Sequence, residues 1–307
     1  MSSLFSRSYE SEHDLVLMQT LLMEGRAQTN DWGFAHIDVL MDVFFMVACH
    51  LNPQEHIRLW FDQDKIVGYA ILSEDPSFDF QFLPEYAWRG IEDDALAWAE
   101  TRLRDLRTAD VERWGGHIVS GSHQDNARRI AFLEQHGFKL GGNFSELNMM
   151  CSLEGPIPTA VLPPGFEIRS IAAQGEVTSR AEAIRDVWKP WTVGNVSDDN
   201  YAYFMLLPGY DRDLDVVAVA PDGTIAAYAN GWIDPINHIG DIGPVGAREA
   251  YRRQGLTRAV MLECLHRMQA RGLNRVVVST GVSNTPAINL YQSVGFKIVN
   301  KYQEYVK

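Results

Sequence analysis

The sequence predicts an α/β (α+β) protein in which one fold occurs twice: a mixed β-sheet, splayed at its centre and flanked by helices. Three observations predict it. Asn126–Lys139 (NARRIAFLEQHGFK) and Asn284–Lys297 (NTPAINLYQSVGFK) share Asn, Ile, Gly, Phe and Lys at an offset of 158 residues, and self-similarity at about one domain length marks a duplicated unit. Glu154–Gly165 (EGPIPTAVLPPG) holds four of the 13 prolines. Proline fixes φ and removes N–H donors, so this stretch reads as an extended connector. Downstream of it, periodicity gives the order βααβββαβαββ.

The expected division is a first domain over residues 1–153, a linker over 154–165 and a second domain over 166–307, each long enough to bury a core. In the first domain a hairpin is expected over His56–Ser73, turning at Asp62–Lys65. In the second, Phe166–Ile171 alternates as a strand, and Glu176–Trp188 and Ser197–Leu207 carry helical stripes. Leu214–Ala220 and Thr224–Ile233 form a hairpin about Pro221-Asp222-Gly223, a turn by composition. Ile239–Ala247 is a strand. Gly255–Arg271 is a helix with apolar Leu256, Val260, Leu262, Leu265 and Met268, and Arg275–Thr280 is a strand buried on both faces. A helix from Asn284 stops at Gly295, where glycine suits a left-handed cap. Two strands, Phe296–Val299 and Lys301–Val306, follow it.

Composition narrows the function. Of 307 residues, 46% are hydrophobic and 22% charged, and the net charge is −13. No basic footprint for nucleic acid or an anionic membrane is visible. Residues 1–150 carry 24 acidic and 12 basic side chains, whereas residues 151–307 carry 16 and 15, so an anionic ligand meets less repulsion in the second half. Cys49, Cys151 and Cys264 lie far apart, which fits a reducing cytoplasm better than a disulfide framework or zinc site. The nine histidines show no ligand spacing, and no metal is expected. Val39–Leu51 is too short and too interrupted to span a bilayer, and the N-terminus lacks the apolar core of a secretory signal.

The chemistry concentrates in DIGPVGAREAYRRQGLT, Asp241–Thr257. Gly243, Pro244 and Gly246 interrupt a strand, because proline cannot donate to a ladder and glycine marks a bulge or a close approach. Such a strand parts from a neighbour, leaving main-chain groups for an extended amide-bearing ligand; an ordinary edge bulge is the alternative. Arg252-Arg253-Gln254-Gly255-Leu256-Thr257 then opens a helix whose first N–H groups lack internal partners. Gly255 lets an anion approach those amides, and two arginines reinforce a phosphate site. Asn284 and Tyr291 are two turns apart on one helix face; each also reads as ordinary structure, a cap and a core residue.

The combined pattern, strand, R-x-x-G helix start, strand, N-x-x-A-x-x-x-Y-x-x-x-G-F, resembles the GNAT N-acetyltransferase superfamily. Arg252, Gly255, Asn284, Ala287, Tyr291, Gly295 and Phe296 match it; Thr257 replaces the usual Gly or Ala. With its duplicated lobes the chain looks like the two-domain, tandem GNAT proteins of the mycothiol synthase family. The resemblance implies acetyl-CoA as cosubstrate. Its pyrophosphate would lie on the amides of Arg253, Gln254, Gly255, Leu256, Thr257 and Arg258. Its pantetheine arm would pair with Val245, Gly246 and Ala247, with Arg252, Asn284 and Ala287 completing the site. Tyr291 takes the position of the acid that protonates the departing thiolate. Asp241 takes that of a general-base glutamate, one methylene shorter and so suited to a water relay. The first lobe has Leu133 where Tyr291 stands, and Glu92 beyond Gly90 where Thr257 stands beyond Gly255. One acetyl-CoA site, in the second lobe, is expected.

For the acceptor, Trp191, Tyr201, Trp232, Asp234 and Tyr305 are the candidate contacts, aromatic rings and a carboxylate suited to a cationic small amine. The expected activity is N-acetylation of a small-molecule amine in the cytoplasm, without nucleic-acid or membrane partners. A peptide or protein acetyltransferase and a silent acyl-CoA sensor are the alternatives.

Overall fold

A computed structural model describes residues 4–29, 32–41, 52–73, 76–172, 174–189 and 196–307. Cys49, Trp191 and most of Val39–Leu51 lie outside the described residues. Two compact units form, one from Met1–Leu147 with Asn300–Lys307, the other from Asn148–Val299.

The first unit contains β1 (Leu4–Ser8), α1 (Glu12–Thr29), β2 (Ile57–Asp62), β3 (Lys65–Ser73), β4 (Ser77–Phe82), α2 (Ile91–Ala109), β5 (Val119–His123), α3 (Ala127–Gln135) and the start of β6 (Lys139–Ser152). β1 to β4 run antiparallel in sequence order. The β2–β3 hairpin turns at Gln63, whose φ is 54°. α2 buries Ala95, Leu96, Ala99 and Leu103, a helical stripe, onto Phe78, Phe80 and Phe82 of β4. β4 and β5 are parallel and meet at Ser77 and Val119; among the described residues no later pair follows.

The second unit takes the end of β6 and then β7 (Glu167–Ser170), α4 (Val177–Val187), α5 (Asp198–Phe204), β8 (Asp215–Val219), β9 (Ile225–Asp234), β10 (Ile239–Ala247), α6 (Leu256–Ala270), β11 (Arg275–Gly281), α7 (Thr285–Val294) and the start of β12 (Lys297–Val306). β7, β8, β9 and β10 are antiparallel neighbours, and β11 joins β10 in parallel. α6 packs closely on β9 and β10 because Gly231 and Gly240 lie beneath it. A Cβ at either would stand 2.6 Å from the Met268 side chain. The proline-rich connector has no regular structure, and α6 holds it: Gln269 Nε2 donates to the carbonyls of Leu153 (2.6 Å) and Gly155 (2.9 Å).

Two expectations need correction. Phe296–Val299 and Lys301–Val306 form one strand, β12, with Lys301 N–H donating to Asn300 Oδ1 at the junction. The last eight residues also leave the second unit for the first. Tyr302–Val306 pair antiparallel with β5, and Tyr305 enters the first unit's core. Gly121 makes room there, since a Cβ on it would stand 2.0 Å from the Tyr302 hydroxyl. Ladder bonds and an aromatic anchor therefore outweigh the sequence boundary.

Candidate active site

The second unit's sheet forks where the sequence interrupts β10. β10 pairs with β11 through Ile239, Gly240 and Asp241, opposite Arg275, Val276 and Val277, while its ladder with β9 shifts register between Ile242 and Val245 and resumes to Ala247. Beyond Asp241, β10 therefore keeps one partner, β9, and turns its other edge to a wedge. Val245 and Gly246 are half-buried there, and Ala247 is buried. Gly246 is required by the approach of α4, because a Cβ would stand 2.4 Å from Val187 Cγ1.

The loop after β10 is shaped as an anion cradle. Arg252 Nε donates to the Ala247 carbonyl at 3.3 Å. Arg253 and Gly255 both take positive φ, 63° and 79°, and residues 252–255 are exposed. Gly255 begins α6 with no side-chain cap, and the first turn holds no acid. Space for a ligand lies before it, as a Cβ on Gly255 meets nothing within 4 Å. The orphan amides of Leu256, Thr257 and Arg258 at the positive end of the helix suit a diphosphate. Arg258 also ties this turn to α7 through the Ser293 carbonyl, 3.4 Å away.

Asp241 and Tyr291 are both buried, each 6% exposed. Asp241 is the last residue of β10 paired on both sides. Tyr291 stands on α7 with its ring 6.1 Å from that of Phe296, and Gly295, at φ 114°, ends the helix. Asn284 is engaged at both ends of its amide. Its Oδ1 accepts from the Ala287 N–H at 3.4 Å, and its Nδ2 donates to Thr280 Oγ1 at 3.1 Å. It thereby fixes the start of α7 against β11.

Three acceptor candidates of this unit make structural contacts. Tyr201 is fully buried and its hydroxyl donates to Asp215 Oδ2. Trp232 is 1% exposed, with Nε1 donating to the Gly243 carbonyl at 2.5 Å. It packs on Phe204 and Tyr210 and braces the interrupted strand. Asp234 accepts from the Ile236 and Asn237 N–H groups and from Asn237 Nδ2, holding the turn before β10. The fourth, Tyr305, is core of the first unit.

Sequence reasoning missed a buried polar network under β9. Arg180 Nε donates to Asp215 Oδ1 at 3.0 Å, Arg180 also bonds Asn230 Oδ1, and its guanidinium lies 3.7 Å from the Tyr228 ring centroid. Tyr210 donates to Asp215 Oδ2 at 2.9 Å, and Trp188 Nε1 to Tyr228 Oη at 2.9 Å. Burial pushes the Tyr228 phenol up to about 12 and raises those of Tyr201 and Tyr210. Burial opposes the Arg180 charge, but Asp215 together with the Tyr201 and Tyr228 phenols outweighs it and raises its pKa. Removing either ion would cost about 3–5 kcal/mol, since the other would be left buried and unpaired. The available signal was an acid within the apolar run Leu214–Ala220.

Residues 181–296 match the acetyltransferase (GNAT) family. The chain is 25% identical over 263 residues to the mycothiol acetyltransferase of Acidothermus cellulolyticus, covering 79% of this chain and 76% of that protein. It is 27% identical over 251 residues to that of Thermobispora bispora, covering 78% and 79%. Among solved structures, a GCN5-related N-acetyltransferase of Sphaerobacter thermophilus aligns over 99% of this chain and 95% of its own, with a TM-score of 0.64 at 19% identity. A tandem GNAT protein from the clavulanic acid biosynthesis pathway aligns over 99% and 98%, at 0.65 and 15%. The family match thus falls on the unit that holds the forked sheet and the glycine-led helix start, and over its whole length the chain has the fold of tandem GNAT structures: it is an enzyme of the N-acetyltransferase class, with the similarity to the acetyltransferase (GNAT) family carried by its second unit.

Proposed function

We propose that the second unit transfers an acetyl group from acetyl-CoA to the amine of a small molecule by direct attack within a ternary complex. The observation that carries this reading is the β10–β11 fork leading into the exposed loop 252–255 and uncapped α6. In this reading acetyl-CoA supplies an activated thioester. The amides of Arg253–Arg258 hold its diphosphate, with Arg252 and Arg253 adding charge. The free edge of Val245–Ala247 pairs with the pantetheine amides, and Asn284 and Ala287 fix α7 alongside. Asp241, at the fork, takes the proton of the attacking amine through a water. The Val245 N–H faces the developing oxyanion, and Tyr291 protonates the departing thiolate. The relatives named mycothiol acetyltransferase support a small-molecule acceptor. No helix among the described residues is long and apolar enough to cross a membrane.

Thiol release from acetyl-CoA across a panel of amines tests the reading. Wild type is expected to turn over at least one amine. Tyr291→Phe should lower kcat about 100-fold, the usual scale of a positioned acid, with acetyl-CoA affinity retained. Tight coenzyme binding without turnover of any amine would instead make the unit an acyl-CoA sensor.

A further inference from the structure

The first unit keeps the backbone of the second unit's groove and fills part of it with its own side chains. β4 parts from β5 after Ser77 and Val119. The loop before α2 takes positive φ at Trp88 (63°) and Gly90 (97°), matching Arg253 (63°) and Gly255 (79°) before α6. Here the cradle is already used: Glu92 Oε1 accepts the Trp88 N–H at 2.5 Å. The fork is used as well. Arg129, the repeat counterpart of Ala287, donates from Nε to the Gly121 carbonyl on β5 at 2.6 Å and from a terminal nitrogen to the Phe80 carbonyl on β4 at 2.8 Å. Its other nitrogen bonds Asp79 at 2.5 Å. A diphosphate would meet a carboxylate, and pantetheine amides would meet a guanidinium.

The groove is nevertheless not full. A cavity of about 400 Å³ remains, lined by Trp32, Phe80, Trp88, Glu92, His123 and Asn126 among others, and its volume is that of a small-molecule site. Its aromatic walls suit a flat ring, which gains area and edge contacts there. The Trp88 ring lies 6.4 Å from Phe80, and that of Trp32 6.2 Å from His123. Its charges are unevenly compensated. Asp79 pairs with Arg129, and Asp125 accepts from Asn300 Nδ2 at 3.0 Å. Arg128, also on the wall, is exposed. Glu92, 2% exposed, accepts a backbone amide and has no ion pair among the described residues. His123 Nδ1 is buried with no hydrogen-bond partner among the described residues.

We propose that this cavity binds a small aromatic amine without phosphate, its ring among Trp32, Phe80 and Trp88 and its ammonium on the Glu92 carboxylate. The proposal is independent of transfer in the second unit. Calorimetric titration of the full chain tests it with tryptamine, and with indole-3-propionate as the same ring carrying the opposite charge. Tryptamine should bind about tenfold more tightly than indole-3-propionate. Glu92→Gln and Trp32→Ala should each weaken it about fivefold or more, the scale of one charge or stacking contact. Acetyl-CoA titrated into the same samples should behave as in wild type, which separates this site from the second unit and reports that both variants are folded. Tyr291→Phe should leave tryptamine affinity unchanged. Absence of saturable tryptamine binding, equal binding of the two probes, or tryptamine binding untouched by both first-unit substitutions would overturn the proposal.

Discussion

In the second unit the loop entering α6 offers two arginines, a bare glycine and no acid in the first helical turn; in the first, the loop entering α2 offers Trp88, Arg89, Gly90 and then Glu92, Asp93 and Asp94. The φ angles nearly coincide. What separates them is the second helical residue, Thr257 in one and Glu92 in the other. The units also treat acids differently. Asp215 is met by Arg180, Tyr201 and Tyr210. Glu146 of the first unit is pushed up to about 7 by burial, with Asp38 and Glu304 adding repulsion. The same loop backbone can present its amide to a ligand or, as with Trp88 and Glu92, to the chain's own carboxylate.

The largest effect should come from carrying the first loop's chemistry into the second. Thr257→Glu places a carboxylate where a diphosphate is proposed to lie, and like-charge juxtaposition costs several kcal/mol. Acetyl-CoA Kd should rise about 100-fold, while the melting temperature stays close to wild type. Unchanged coenzyme affinity would mean that this helix start is not the anion site.

A smaller effect concerns Glu146. Its folded pKa of about 7 stands above the ordinary carboxylate range. The folded chain therefore holds a proton that the unfolded chain has released. The stability this group contributes is present below the unfolded pKa and is lost as pH rises toward 7. Glu146→Gln should remove that loss and raise stability at pH 8 by up to about 3 kcal/mol, with little change at pH 4. Urea titrations at the two pH values measure it, and equal gains at both would show that charge is not the cause.

The smallest effect expected is none. Glu92→Thr frees the first unit's cradle, but Arg129 still bridges Phe80 and Gly121, so no second acetyl-CoA site should appear by calorimetry. A stoichiometry of two per chain would show that the carboxylate alone keeps coenzyme out.

Much of this was legible in the sequence because it rests on local rules. Gly243, Pro244 and Gly246 marked the interrupted strand, and its residues 239–247 emerged with the expected bounds. Gly295 took the left-handed φ expected of a glycine cap. The repeat predicted a fold that occurs twice. What stayed hidden was non-local. The aromatic residues named for the acceptor are equally good core residues, and the sequence pattern does not reveal the hydrogen-bond partners of Trp232 and Tyr201. Arg180 looks like any helix arginine until Asp215 and Asn230, far along the chain, are placed beside it. No pattern distinguishes a carboxylate at a helix start that is solvated from one that, like Glu92, turns back onto its own loop.

The fate of the last strand has a consequence for biosynthesis. Val119 pairs with Val306, so a ribosome must translate the whole second unit before the first can complete its sheet. Until then β5 has an edge waiting for residues not yet made, and such long-range closure is slow and exposed to wrong partners. The amino-terminal unit begins first and finishes last, and a few residues lost from the far end of the chain would be felt in the core nearest its start.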